Sequence, residues 1–274
     1  MLLVLVLFVI CHPAEAQNLI QNSSFESYSS LPVGVGDFTC LSWIPVSGSP
    51  DYFNDSASVS SGCNIPYTFA GTIPKAHEGQ GCIGQCVYMD GWPNFREYFG
   101  YYFDIPLIMG ETYVITMYIL SSAIPLLYGG IGIDNFAVAF TTVQFSPAGP
   151  PPGGVINFTP QCVFPGILYA SQWKKISFEL YADSAYQYMT VGCFVPDSVQ
   201  NRQTFIPALF FPSAYFYLDD VRVDPKFVFA LEELQKNYKS DSIIYTDLLG
   251  RQVPFQKGFL IAHVGDKRIK IFVR

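Results

Sequence analysis

Glycine and proline recur 22 and 20 times in 274 residues, which excludes long uninterrupted helices and makes short strands joined by turns the default. Thr112–Leu120 is rich in β-branched and aromatic residues and follows the turn Met109-Gly110-Glu111. Trp173–Tyr181 alternates apolar Ile176, Phe178 and Leu180 with polar Lys175, Ser177 and Glu179, which predicts one buried and one wet face. Tyr188–Phe194 and Ala214–Val223 read as two further strands. No strand is followed by a helix-period stretch, so βαβ units and dinucleotide-binding folds are disfavoured. Ser146–Gly154, with four prolines and three glycines, reads as a long exposed connection.

Charged residues are 14% of the chain, against about 25% in an average soluble protein. The 24 Phe, 18 Tyr and 3 Trp exclude a disordered chain or a coiled coil. A net charge of −7 argues against nucleic-acid binding, which needs a basic face. That charge is unevenly spread: 6 Lys/Arg against 17 Asp/Glu up to Asp224, then 9 against 5 from Pro225. The two signs suggest two jobs, an acidic body and a basic tail.

Leu2–Ile10 is an unbroken apolar run followed by Ala14-Glu15-Ala16, the pattern of a secretory signal peptide over residues 1–16. The run is shorter than the roughly 20 residues of a membrane span, and no later stretch is long and apolar enough, so no transmembrane span is expected. Export would leave Cys40, Cys63, Cys82, Cys86, Cys162 and Cys193 in an oxidising compartment, where disulfides between chain-order neighbours are expected. The Cys82/Cys86 spacing with His77 lacks the fourth ligand of a zinc site.

Asn18-Leu-Ile-Gln-Asn-Ser-Ser-Phe-Glu26, Trp43, Ser49–Asn54, Arg96-Glu97-Tyr98, Leu107–Tyr113, Trp173, Thr190–Phe194 and Tyr217-Leu-Asp-Asp-Val221 occur in that order. Together they resemble a galactose-binding-like jelly roll, similar to several carbohydrate-binding modules, found in surface proteins of bacteria with a type IX secretion system. The resemblance implies an all-β jelly-roll sandwich over residues 17–224, with its first and last strands side by side. That would bring Glu26 near Asp219 and Asp220, and carboxylates with main-chain carbonyls form a hard-oxygen cage suited to Ca²⁺. By the same resemblance this is the structural calcium position of the related modules. On a strand, only one of Asp219 and Asp220 can face inward.

After a linker at 225–240, residues 241–274 offer three strand patterns: Ile243–Val253, Lys257–Val264 and Lys267–Arg274. With Asp247-x-x-Gly250-Arg251-x-Val253 and a basic last strand, they are similar to the C-terminal sorting domain of type IX secretion substrates. The family's opening Asn-Pro strand is missing. The resemblance implies a small β-sandwich-like sorting segment, a partner in the secretion machinery and a secreted or outer-surface location.

The chain has no G-x-S-x-G, H-E-x-x-H or P-loop motif, so a non-catalytic protein is expected. A glycosidase needs two carboxylates; Asp51, Asp90, Glu97 and Asp104 meet that count, but no motif marks them. Sugar binding has a better mechanical case, because aromatic rings stack on pyranose faces while polar groups bond the hydroxyls. Tyr88–Tyr98 places Trp92 on a Gly/Pro turn beside Asp90, Asn94 and Arg96, whereas Trp43 and Trp173 read as core. A polysaccharide or surface glycan is therefore the expected partner. The alternative is an adhesive surface protein that makes protein contacts only.

Overall fold

The computed structural model describes residues 18–73, 75–146, 153–226, 243–247, 249–254, 258–264 and 267–273. The signal segment expected at 1–16 and all but the first two residues of the expected linker lie outside them. In chain order the strands are β1 (Trp43–Ser47), β2 (Asp51–Asn54), β3 (Tyr67–Thr68), β4 (Gly71–Thr72), β5 (Gly81–Met89), β6 (Tyr98–Tyr102), β7 (Thr112–Ser121), β8 (Ala123–Ile124) and β9 (Leu126–Ile133). They continue with β10 (Phe136–Thr141), β11 (Cys162–Val163), β12 (Lys174–Tyr181), β13 (Tyr188–Cys193), β14 (Arg202–Thr204), β15 (Ala208–Pro225), β16 (Ile244–Thr246), β17 (Gly258–Val264) and β18 (Lys267–Val273).

The chain is an all-β sandwich over Asn18–Val223, followed by a second unit that holds the tail. One sheet runs β1-β6-β13-β10-β11; the other runs β12-β7-β15-β5-β2, with β8, β9 and β14 attached. Between them Trp43, Phe99, Phe136, Val138 and Phe140 pack with Ile83, Ile115, Met117, Ile176, Phe178, Phe216 and Leu218. Burial of each such side chain is worth about 1.5–3 kcal/mol. Along β12 the predicted alternation holds: Ile176, Phe178 and Leu180 are buried while Lys175, Ser177 and Glu179 are exposed. The expected strands at 112–120 and 188–194 are β7 and β13, and the one at 214–223 lies within the longer β15.

Both sheets also have covered outer faces. Residues 63–73 lay Cys63, Ile65, Ala70 and Ile73 over Phe53, Cys82, Cys86, Tyr215 and Tyr217. Ile156 and Phe158 cover Tyr98, Ala137 and Ala139 on the other sheet. Strands covered on both faces lose their wet side, which is why β10 is apolar from Phe136 to Phe140 and β5 is buried along nearly its whole length, Gln85 included. The segment expected as an exposed loop at 146–154 falls largely outside the described residues.

The expected disulfides are overturned, since all six described cysteines are buried free thiols. Cys82 and Cys86 lie four residues apart on one strand, about 13 Å, where a disulfide requires Cα atoms about 4.4–6.8 Å apart. Cys162 and Cys193 lie on β11 and β13, opposite Val138 and Phe136 of the intervening β10, more than two strand spacings or about 9.5 Å apart. Cys40 belongs to the inter-sheet core and Cys63 to the cluster on the outer face of the larger sheet.

In the tail, β16, β17 and β18 form an antiparallel sheet with Ile244 opposite His263 and Gly258 opposite Val273. Ile243, Leu260 and Ala262 are buried, and the Thr246 hydroxyl lies 2.8 Å from His263 Nε2. The predicted strand 243–253 is instead a short strand and a turn. Asp247 accepts the Leu249 and Arg251 N–H groups and pairs with the Arg251 guanidinium at 2.6 Å, holding its own carboxyl below the usual carboxylate range.

Candidate functional site

Strand β5 ends in two contrasting corners. At its Met89 end the chain turns tightly: Asp90 N–H donates to Pro212 O at 2.9 Å, Trp92 N–H to Met89 O at 3.2 Å and Phe95 N–H to Trp92 O at 3.1 Å. This turn leaves Trp92 52% exposed, and its ring packs edge-on against Phe95 at 6.2 Å. Asn94 adopts φ of 60° and exchanges two bonds with Asp197, at 2.7 and 2.9 Å. Asp90, Trp92 and Asn94 thus face solvent together, as the sequence suggests.

Arg96 does not join them. It is fully buried, donates to Phe95 O and Val195 O at 2.8 Å each, and pairs with Asp197 at 2.8 Å. The planar fork of a guanidinium suits several fixed acceptors at once. Arg96 therefore ties the turn to the 195–197 loop and has no rim position from which to reach a ligand.

Arg202 supplies the cation at this end. Its guanidinium lies over the Tyr88 ring at 4.5 Å, and the Tyr88 hydroxyl donates to Asp90 at 3.2 Å. These three residues and Thr204 line the polar side of a pocket of about 350 Å³, closed by Ile131, Pro207, Ala208 and Pro212. Burial pushes the Tyr88 hydroxyl pKa up. Sequence reasoning missed Arg202, although it is the single Lys or Arg between Lys175 and Arg222.

At the Gly81 end the first segment and the last strand do lie side by side: Leu19 N–H donates to Val223 O and Val221 N–H to Ser23 O, both at 2.9 Å. Asp219 is buried while Asp220 is half-buried, the expected alternation. The carboxylates face backbone donors. Glu26 accepts the Gln80 and Gly81 N–H groups at 2.9 Å each; Asp219 accepts those of Glu78 at 3.0 Å and Asp220 at 2.7 Å. Gly79, at φ of 63°, admits the Glu26 carboxylate where a Cβ would stand 2.3 Å from it. Burial pushes the Asp219 carboxyl up to about 8, against backbone N–H donors that lower it. Among the described residues no group of three His, Cys, Asp or Glu side chains is placed to hold a metal ion. Glu26, Asp219 and Asp220 therefore do not fit the expected calcium cage, since a metal needs converging lone pairs.

Asp51 and Glu97, two of the four carboxylates flagged for hydrolysis, are brought together in the interior. Asp51 accepts the Tyr215 hydroxyl and the Gly36 N–H, each at 2.5 Å; Glu97 accepts the Cys86 N–H at 2.7 Å and the Ser49 hydroxyl at 3.0 Å. Burial raises both pKa values, and the Asp51 charge raises that of Glu97 further. Both are enclosed and spoken for by protein donors, unlike the open pair a glycosidase presents to substrate.

No family model matches the chain, and neither does any curated protein. Among solved structures, the CBM22-1 xylan-binding domain of Paenibacillus barcinonensis Xyn10C aligns with 77% of this chain and 95% of its own length, at 10% identity and a TM-score of 0.37. The K1 cleaved adhesin domain of Lys-gingipain from Porphyromonas gingivalis W83 aligns over 73% and 95%, at 13% identity and a TM-score of 0.33. The arabinose-bound MgGH51 α-L-arabinofuranosidase aligns with 77% of this chain at 11% identity and a TM-score of 0.39, and the chain spans 26% of that enzyme. At such identities and scores, the ligands and activities in those names do not transfer to this chain. No helix among the described residues is long and apolar enough to cross a membrane.

Proposed function

We propose that Asn18–Val223 is a non-catalytic glycan-binding module of an exported, surface-displayed protein, with the ligand held at the Met89 end of β5. The observation that carries this reading is an exposed Trp92 on the same turn as a pocket edged by Asp90, Arg202 and Thr204. A pyranose stacked on Trp92 would direct its hydroxyls to Asp90 and Asn94, and a neighbouring residue of the chain would enter the pocket, where Arg202 and Thr204 donate and Asp90 accepts. An indole held outward by turn geometry is organised before binding, so little ordering entropy is lost.

A glycan array followed by calorimetry tests the reading. Trp92→Ala is expected to weaken binding about tenfold or more, with the melting temperature unchanged. Absence of any retained glycan, or wild-type affinity in that variant, refutes it. The basic three-stranded tail supports export through a type IX pathway, in which case truncation after Asp224 retains the protein in the periplasm. Normal surface delivery of the truncated chain would refute that part alone.

A further inference from the structure

We infer that this protein self-associates, a second copy of the chain covering an apolar ridge at the starts of β9 and β15. Leu126, Leu127, Leu209, Phe210 and Phe211 are all exposed there, Leu209 and Phe210 to 71% each. Pairing in parallel places Ala208 opposite Leu126 and Phe211 opposite Tyr128, and a bulge between Ala208 and Phe211 takes Leu209 and Phe210 out of the ladder. At about 150–250 Å² per large side chain, the five exposures sum to on the order of 500 Å² of largely apolar surface. That lies in the upper part of the ~300–600 Å² range of the largest patch on a typical monomer, where a stable interface takes ~800 Å² from each partner.

The ridge is rigid. Leu126 N–H donates to Pro207 O at 2.9 Å, and Gly130 O accepts the N–H groups of Phe205 at 2.8 Å and Ile206 at 3.1 Å. At Gly130, with φ of 79°, a Cβ would stand 2.0 Å from Ile206 O, so only glycine allows the two segments to approach this closely. Leu126 itself sits at φ of 65°, a conformation that costs a bulky residue free energy and is retained here with its side chain outward.

Charge selects the occupant. Residues 122–133 and 203–218 contain no Asp, Glu, Lys or Arg. A lipid surface would call for basic residues around the ridge, and between Lys175 and Arg222 there is only Arg202. Residues 17–224 hold 6 Lys/Arg and 16 Asp/Glu, a balance of −10, so two copies repel except where neither carries charge. A two-fold contact of ridge on ridge meets that condition and supplies the uncharged centre typical of an interface.

Light scattering on the eluting full chain, from about 1 to about 100 µM, decides the matter. The expected result is twice the monomer mass at the upper end, with Phe210→Glu raising the dissociation constant about 30-fold or more. Hydrogen exchange on the wild type should show amides of 126–130 and 205–211 becoming protected as concentration rises, which keeps the test decisive if the variant fails to fold. A monomer throughout, or a dimer whose protection lies elsewhere, overturns the inference. So does a monomer that floats with phosphatidylcholine vesicles, because the ridge would then serve lipid.

Discussion

At the Gly81 end of β5, Glu26 and Asp219 are each surrounded by backbone N–H groups from residues 78–81 and 220, and the corner is finished without any outside ligand. At the Met89 end, Asp90 accepts one phenolic hydroxyl and otherwise faces solvent, next to an exposed indole and a guanidinium that has no carboxylate in ion-pair contact among the described residues. Both corners are acidic loops packed against β15. What separates them is who supplies the donors: where the main chain does, a carboxylate is a structural clip, and where it does not, the carboxylate remains available to a ligand. Arg96 shows the same rule for a cation, since backbone carbonyls and Asp197 occupy its fork.

The largest effect that sharpens this contrast comes from Arg96. Arg96→Met leaves two part-buried carbonyls without their donor and the Asp197 carboxylate without its ion-pair partner, and should cost about 3–5 kcal/mol in urea denaturation. A rim arginine would instead leave stability intact and weaken only ligand binding. Next is Asp219→Ala, which strands the part-buried N–H groups of Glu78 and Asp220 and should cost about 1–3 kcal/mol. Millimolar Ca²⁺ should not raise the wild-type melting temperature; a clear rise that Asp219→Ala abolishes would break the contrast by making the closed corner a metal site.

The Asp51/Glu97 pair extends the comparison to carboxyls that are buried rather than cradled. Burial raises their pKa values above those of the unfolded chain, so the folded state binds more protons. Their contribution to stability is therefore present below about pH 4 and is lost as pH rises from there through the raised folded-state values. The urea midpoint should fall between about pH 5 and about pH 8, and Glu97→Gln should flatten that fall. A midpoint that rises over this range would show that the pair is ionised without penalty.

Alternation made β12 readable in advance because one of its faces is wet, and the exposure of Trp92 followed from a Gly/Pro turn that offers an indole nothing to pack beneath. The roles of Arg96 and Arg202 were not readable: both are arginines beside turns, and only the fold decides which one meets main-chain carbonyls. The calcium expectation failed for a similar reason. Residue types at 26, 219 and 220 were placed side by side correctly, but the direction of the 78–81 backbone, which turns its N–H groups toward the carboxylates, has no side-chain signature. The cysteines misled through a compartment argument, since even numbers say nothing about two thiols lying on one strand or across an intervening one.

The smallest effect concerns how the open corner keeps its shape. Asn94 holds φ of 60° and bonds Asp197 through both its backbone N–H and its side-chain oxygen. Asn94→Gly retains the backbone angle and the N–H bond and loses one exposed acceptor, so the expected cost is under about 1 kcal/mol. Asn94→Ala adds a Cβ in the left-handed region and should cost roughly 1 kcal/mol more than the glycine variant. If the turn is rigid because of its backbone angle, glycan affinity should follow the same order, with glycine losing only the sugar contact of the Asn94 amide and alanine weaker still. Equal loss in both variants would instead assign the rigidity to the Asn94 side-chain bond with Asp197, and would place Asn94 with Arg96 among the clips.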